Sequence, residues 1–438
     1  MLNKIINTLG TKILSAIFNL AIAIVISQYL GDVGKGKQSL FLLSVTFILI
    51  FSDIISGRSI VYLTPKHSFS KIIFPSFLWS VLVGIVAAAG IYLFGFGINV
   101  ENSMIVHLGG ISILVSLNSI NVSVLMGKER MKAANYITLL QTVFSLATLC
   151  VCYIFAGNKT IYPYIFSLYI SYGSCWLIGI IALQKDYFNI QFFKVKEYKN
   201  IVADLFKYGF LNQCGICIQF INLRLGYYLL DIYTDTGKVG VFSNAASLGE
   251  GICLVSSSIA LVQYARIANT NDGKYAQSLT FQLTKICFVI SLCLVLCLMC
   301  LPSAFFVFVF GTEFSELSSV IRLLSPNVVC FSVFLVLTNF FSGIGKYQIN
   351  MYASMVGFIF AVLLGFILIP RYNIYGAAIT TSVSVMATTV FILIIFLKHT
   401  HLKPSNLLLT KIEIKEFYGY FRDYTHIFRT TSQRIRKK

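Results

Sequence analysis

Apolar runs of about twenty residues recur along the whole chain, separated by short polar segments. The pattern predicts about twelve membrane-spanning helices. Their cores lie near 10–30, 38–62, 71–95, 103–127, 133–156, 161–183, 207–230, 239–264, 281–301, 316–342, 349–369 and 375–397. A helix rises 1.5 Å per residue, so about twenty residues cross a hydrocarbon core of roughly 30 Å. Strands of a membrane barrel would be about ten residues long, with polar alternation, and that pattern is absent. Residues 302–311, which begin with Pro302, read as an extension of the ninth span beyond a proline kink. Residues 10–30 read as a true first span and not as a cleavable signal.

The polar segments alternate in charge. Most of the 34 Lys and Arg fall in or beside every second connection, including 65–71, 127–132, 184–206 and 345–346. Lys35, Lys37, Lys159, Lys238 and Arg371 fall on the other side, and Arg224 and Arg322 fall within spans. Cytoplasmic loops collect Lys and Arg, so both termini are predicted to be cytoplasmic. The longest inner connection, 184–206, divides six spans from six.

The two halves echo one another. Asp32-Val-Gly-Lys-Gly is matched by Asp235-Thr-Gly-Lys-Val-Gly, Gly127-Lys128 by Gly345-Lys346, and Ile161-Tyr-Pro-Tyr by Ile374-Tyr-Gly-Ala, in the same order. The expected fold is therefore an all-α polytopic membrane protein. It has two six-helix lobes related by a pseudo-twofold along the membrane normal, an arrangement that flanks a central path. The expected units are an N-terminal lobe (1–183), a cytoplasmic linker (184–206), a C-terminal lobe (207–397) and a basic cytoplasmic tail (398–438). Within the tail, Leu407 to Tyr418 reads either as an interfacial helix touching anionic lipid or as a solvated segment.

Composition sharpens this picture. Of 438 residues, 57% are hydrophobic and only 11% charged, against roughly 25% charged in a soluble globular chain. Mean hydropathy is +0.82. The net charge of +18 follows from the basic inner loops and tail, so no nucleic-acid partner is expected. Most of the eleven cysteines sit within spans, where they read as small packing residues. Cys214 and Cys217 have no second pair or nearby His, so no metal site is expected. Phosphate-loop, zinc-protease and nucleophile-elbow motifs are absent, as is a soluble domain large enough for an ATPase. No cofactor and no enzymatic activity are expected, and any transport would draw on a gradient.

The candidate chemistry lies in the polar positions inside the spans. A charge within a bilayer span costs at least about 2.5–3.5 kcal/mol on insertion scales, so such residues are functional candidates. Arg224 lies in span 7 and Glu250 in span 8, joined by a short outer turn. Their depths, about 10 and 16 Å, allow an ion pair, but also two separate substrate-facing charges. At about 100° per residue, Asn212, Gly215, Gln219, Asn222 and Gly226 share one arc of span 7, with Gln213 and Arg224 beside it. This face is expected to line a wet cavity; the alternative is a hydrogen-bonded helix–helix face. In span 2, Asp53 is a candidate proton or cation ligand, and Arg58 either anchors at the inner interface or reaches the cavity. Asn118, Asn121 and Gln141 either line a path or hold helices together. His107 and Arg322 read as interfacial.

Several motifs, in order along nearly the whole chain, resemble the bacterial polysaccharide and O-antigen flippases of the multidrug/oligosaccharidyl-lipid/polysaccharide exporter superfamily. They are Tyr29-Leu-Gly-Asp-Val-Gly, Arg58 in span 2, and Asn222-Leu-Arg-Leu followed by Val239-Gly-Val-Phe-Ser-Asn-Ala-Ala-Ser-Leu-Gly-Glu250. Phe310-Gly-Thr-Glu-Phe, Leu323-Leu-Ser-Pro326 and Ile369-Pro-Arg-Tyr-Asn-Ile-Tyr-Gly-Ala-Ala378 complete the set. Two positions depart from the pattern. Gly226 stands where many relatives carry Asp, which weakens a cation-coupling role there, and Asn373 replaces the first Gly of the last motif. The resemblance implies a V-shaped pair of lobes in a bacterial inner membrane. Its implied substrate is a polyprenyl-diphosphate-linked oligosaccharide, as for O-antigen, lipopolysaccharide or capsule. Membrane lipids, and polymerase or chain-length machinery, are the implied partners. Arg224 and Arg58 would then meet the diphosphate, because the guanidinium fork matches phosphate oxygens. An ion-coupled drug or metabolite exporter on the same scaffold is the alternative. A membrane glycan polymerase or ligase is a more distant one, since every outer loop is short.

Overall fold

A computed structural model of the chain describes residues 2–94, 102–156, 160–191, 193, 195–268, 270 and 272–400. No strand occurs among them. The N-terminal half contains α1 (Leu2–Ser56), α2 (Arg58–Leu63), α3 (Phe69–Phe94), α4 (Asn102–Gly127), α5 (Met131–Ala156), α6 (Tyr162–Ala182) and α7 (Gln184–Phe188). The C-terminal half contains α8 (Val195–Tyr233), α9 (Thr236–Ala268), α10 (Gly273–Met299), α11 (Ser303–Phe310), α12 (Leu317–Gly343) and α13 (Tyr347–Thr400). The expected tail, from residue 401 onward, lies outside the described residues.

Among the described residues, nine helices are long and apolar enough to cross a membrane, so the chain is a multi-pass membrane protein. Two of them, within α1 and α13, exceed fifty residues, or about 80 Å of continuous helix, far more than a bilayer needs. Each doubles back. The α1 turn is at Gly31 (φ 69°, ψ −167°), a backbone shape that glycine takes without a Cβ penalty. As a result Ile22 and Ile26, before the turn, share one core with Phe41 and Val45 after it. The α13 turn is at Asn373 (φ 51°, ψ −129°). Asparagine is enriched at positive φ, which explains how it stands where the related motif carries glycine. Beyond this turn Ser384 Oγ donates to the Gly357 carbonyl at 2.8 Å, and Lys346 Nζ lies 2.9 Å from His399 Nε2 at the far end.

Two expectations change in detail. Pro302 adopts an extended conformation (φ −70°, ψ 156°), so residues 303–310 form the separate helix α11 and do not prolong α10. The expected linker 184–206 is largely helical. From Val195 it is continuous with span 7, and its Ile201 and Leu205, one turn apart, are buried with Ile60, Ile72 and Val124 of the N-terminal half. Lys71 Nζ bonds Glu197 Oε2 at 2.5 Å across the same contact. The resulting α8 is not among the nine apolar helices; Asn212, Gln213, Gln219, Asn222 and Arg224 interrupt its apolar stretch.

The halves meet along α1, α8 and α9. Leu40 and Leu43 are buried in one cluster with Tyr227, Phe242, Ile321 and Ala378. Gly209 makes the closest backbone approach: a Cβ there would come within 1.7 Å of the Ile54 carbonyl oxygen. Near the α1 turn, Asp32 N–H donates to Glu313 Oε2 at 2.7 Å. Lys35, expected in an outer loop, is 5% exposed and donates to Gln38 Oε1 at 2.6 Å.

Within the N-terminal half, four buried serines share their hydroxyls. Ser116 Oγ of α4 lies 2.6 Å from both Ser52 Oγ of α1 and Ser80 Oγ of α3, and Ser56 Oγ donates to the Ser52 carbonyl at 2.5 Å. Small hydroxyl residues let helices approach closely while meeting each other's hydrogen-bonding needs.

Candidate functional site: a charged cleft in the C-terminal half

Arg224 lies about 14 Å from the C-terminal end of α8, well inside the bundle. Glu250 faces it from α9. The two are paired, with Arg224 Nη2 and Glu250 Oε1 2.6 Å apart. Arg224 Nη1 donates to Tyr227 Oη at 2.8 Å. Tyr227 follows Arg224 by three residues, one turn further along the same side of α8. It is 3% exposed and meets Phe242 of α9 edge-on at 5.0 Å, so its hydroxyl is held in place.

Arg224 and Glu250 line a cleft of about 490 Å³ measured to its open mouth, between α8, α9, α12 and α13, with Tyr227 behind them. Its walls are mixed. Phe242, Val328 and Phe331 are apolar, and Arg224, Glu250 and Asn327 are polar. Asn327 Oδ1 is buried without a hydrogen-bond partner, an acceptor open to a donor and not to an anion's oxygens. Pro326, just before it, lacks the N–H that would bond the carbonyl of residue 322, which loosens the α12 ladder beside the cleft. The arrangement suits an anion. A guanidinium in low-dielectric surroundings presents its remaining N–H groups toward phosphate or carboxylate oxygens.

The other residues of span 7 take different places. Gln219 Oε1 accepts from Ser354 Oγ of α13 at 2.8 Å. Asn222 is buried and its Oδ1 accepts from Ser384 Oγ of α13, while its Nδ2 is buried without a partner. Gly226 faces Thr381 and Ala377 of α13. The arc expected to line a cavity therefore packs against α13 at these three positions, as the helix–helix alternative describes. Gln213 is 5% exposed and its Oε1 has no hydrogen-bond partner; it lies about 16 Å along α8 from Arg224 and does not reach the cleft. Asn212 is in α8, but its side chain lies outside the described residues.

In the N-terminal half, Asp53 is in the penultimate turn of α1 with Oδ1 buried and unpartnered. Arg58 is the first residue of α2, and its side chain lies outside the described residues. Asn121 accepts from Tyr187 Oη at 2.6 Å, so it acts in packing, whereas Asn118 Oδ1 is buried without a partner. His107 Nδ1 lies 3.4 Å from Tyr169 Oη, and Arg322 is exposed. Tyr227 and Asn327 were not anticipated. The i, i+3 spacing from Arg224 points to Tyr227. For Asn327 the only signal is its place after the Leu-Leu-Ser-Pro motif.

The architecture is that of the exporter superfamily whose motifs the sequence resembles. No family model matches the chain. The capsular polysaccharide biosynthesis protein CapF of Staphylococcus aureus is 24% identical over 391 residues, which is 85% of this chain and 93% of that protein. Among solved structures, the lipid II flippase MurJ in an inward closed conformation superposes with a TM-score of 0.73 at 15% identity, covering 97% of this chain and 93% of that one. An inward-facing multidrug resistance MATE family transporter of the MOP superfamily superposes with a TM-score of 0.67 at 15% identity, covering 88% and 94%. The chain shares the fold of these two transporters, in agreement with the resemblance read from its motifs.

Proposed function

We propose that this protein is a flippase, not an enzyme, which moves polyprenyl-diphosphate-linked oligosaccharide units from the cytoplasmic to the outer leaflet by alternating access. The observation that carries the reading is Arg224. It is a guanidinium deep in an apolar bundle, at the wall of a cleft and held by the half-exposed Glu250. A diphosphate offers the negative charge and the acceptor oxygens that a guanidinium fork binds. The similarity to a capsular polysaccharide biosynthesis protein and to a lipid II flippase supports a lipid-linked glycan as cargo.

In this reading α1 and α13 each cross twice and α8 crosses once, which together with the remaining apolar helices makes twelve spans in two lobes, 1–183 and 207–397. The bundle lies in a bacterial inner membrane with both termini cytoplasmic, as the placement of Lys and Arg requires. Arg58 joins Arg224 in binding the diphosphate, and Asp53 carries the coupling ion. The glycan is destined for O-antigen, capsule or another surface polymer, and is passed on to polymerase and chain-length machinery.

The test is the sidedness of lipid-linked oligosaccharide in cells lacking the protein and any redundant flippase. Accumulation on the cytoplasmic leaflet, relieved by the wild type and not by Arg224→Ala at equal abundance, is expected. Normal sidedness would favour the second reading, an ion-coupled drug or metabolite exporter. That reading draws on the buried Asp53 carboxylate and the likeness to multidrug transporters.

A further inference from the structure

We propose that Glu250 is the resident counter-ion of the cleft, which an incoming phosphate must displace from Arg224. The inference rests on the reading of Arg224 as the anion-binding residue and adds what controls access to it. The two members of the ion pair are held very differently. The Arg224 side chain is 23% exposed and is anchored from behind by the Tyr227 hydroxyl, which is itself fixed against Phe242. The Glu250 side chain is 54% exposed and has no further hydrogen bond to protein within the cleft, among the described residues. When the pair separates, Arg224 stays and Glu250 moves. An anion can therefore take the position of the Glu250 carboxylate on Nη2 without disturbing the Nη1 bond to Tyr227.

This exchange has two consequences. The empty cleft is electrically balanced, so the bundle never holds Arg224 as a bare cation, which would be expensive at this depth. Every anion also competes with a carboxylate tethered at the site, so all affinities are lowered by the same factor. Weakly held anions then fall below occupancy, while a diphosphate whose further charge and oxygens reach the remaining N–H groups of Arg224 still binds. Glu250 thus sets a threshold for entry rather than a preference between ligands.

The experiment measures binding of farnesyl diphosphate and farnesyl monophosphate to the full chain in nanodiscs, with farnesol as the uncharged control. Glu250→Gln, which keeps size and removes charge, is expected to tighten both phosphates by about two- to fivefold, the range a partly exposed ion pair supports. Glu250→Asp retracts the carboxylate by one methylene and is expected to fall between. Arg224→Gln is expected to abolish the difference between the phosphates and farnesol, with or without Glu250→Gln. Unchanged or weakened phosphate binding in both Glu250 variants, with Arg224→Gln still abolishing it, would overturn the counter-ion proposal and leave the anion site standing. Phosphate binding that survives Arg224→Gln would overturn the anion-site reading itself, and the counter-ion proposal with it.

Discussion

The serine cluster of the N-terminal half and the Arg224 cleft of the C-terminal half are both polar islands in an apolar bundle, yet they are built on opposite logic. Ser52, Ser56, Ser80 and Ser116 donate to one another and to backbone carbonyls, so the cluster is closed and asks nothing of a ligand. The cleft holds an ion pair with one half-exposed member and an amide oxygen with no partner. Small hydroxyls can satisfy each other across three helices because each is both donor and acceptor. A guanidinium only donates and a carboxylate only accepts, so their contact leaves valences over. Polarity inside a membrane protein is therefore a poor guide to function until its hydrogen bonds are accounted for.

Four substitutions test this contrast. Arg224→Ala is expected to slow delivery of lipid-linked glycan about ten- to hundredfold at equal protein level, the loss of charge-assisted hydrogen bonds to phosphate. Surface polysaccharide yield normalised to abundance reads this out, and an unchanged yield would make the cleft as inert as the serine cluster. Lys35→Met probes a charge in the N-terminal half that no carboxylate meets among the described residues. Lys35→Met removes a buried ammonium held only by Gln38 and is expected to raise stability by about 1 kcal/mol. The thermal midpoint in detergent checks it.

Ser116→Ala, which removes the hydroxyl shared by α1 and α3, is expected to lower stability by about 1 kcal/mol and to leave farnesyl diphosphate binding unchanged. A loss of binding at full stability would mean that the closed cluster serves the ligand after all. Tyr227→Phe is the mildest. It keeps the ring against Phe242 and removes the anchor of Arg224, so farnesyl diphosphate binding should weaken about two- to fivefold with little change in thermal midpoint.

Much of the fold was legible in the sequence because twenty-residue apolar runs have few other uses. The motif order around Gly31, Glu250 and Pro370 carried the superfamily resemblance. What the sequence left open are relations between helices. Helical periodicity showed that Gln219 and Asn222 share a face of α8, and the structure shows that this face meets Ser354 and Ser384 of α13. A one-helix pattern identifies which residues point together, not what they point at. Depth counting allowed Arg224 and Glu250 to meet, and they do. It had no access to the exposure of either, and exposure is what distinguishes anchor from mobile partner. The burial of Lys35 was hidden for a related reason: a basic residue beside a turn looks solvated when only its own helix is considered.

The contact at Gly209 has a mechanical consequence. Helix α8 is an unbroken rod, joined near its N-terminal end to the N-terminal half through Glu197 and Lys71, and carrying Arg224 toward its C-terminal end. Gly209, where backbone rests on backbone at Ile54, lies between them, about 18 Å from Glu197 and about 22 Å from Arg224. A stiff beam resting on such a fulcrum has nearly equal arms. Were α8 to pivot there, the Lys71–Glu197 contact at one end and the Arg224 cleft at the other would move together, in opposite directions.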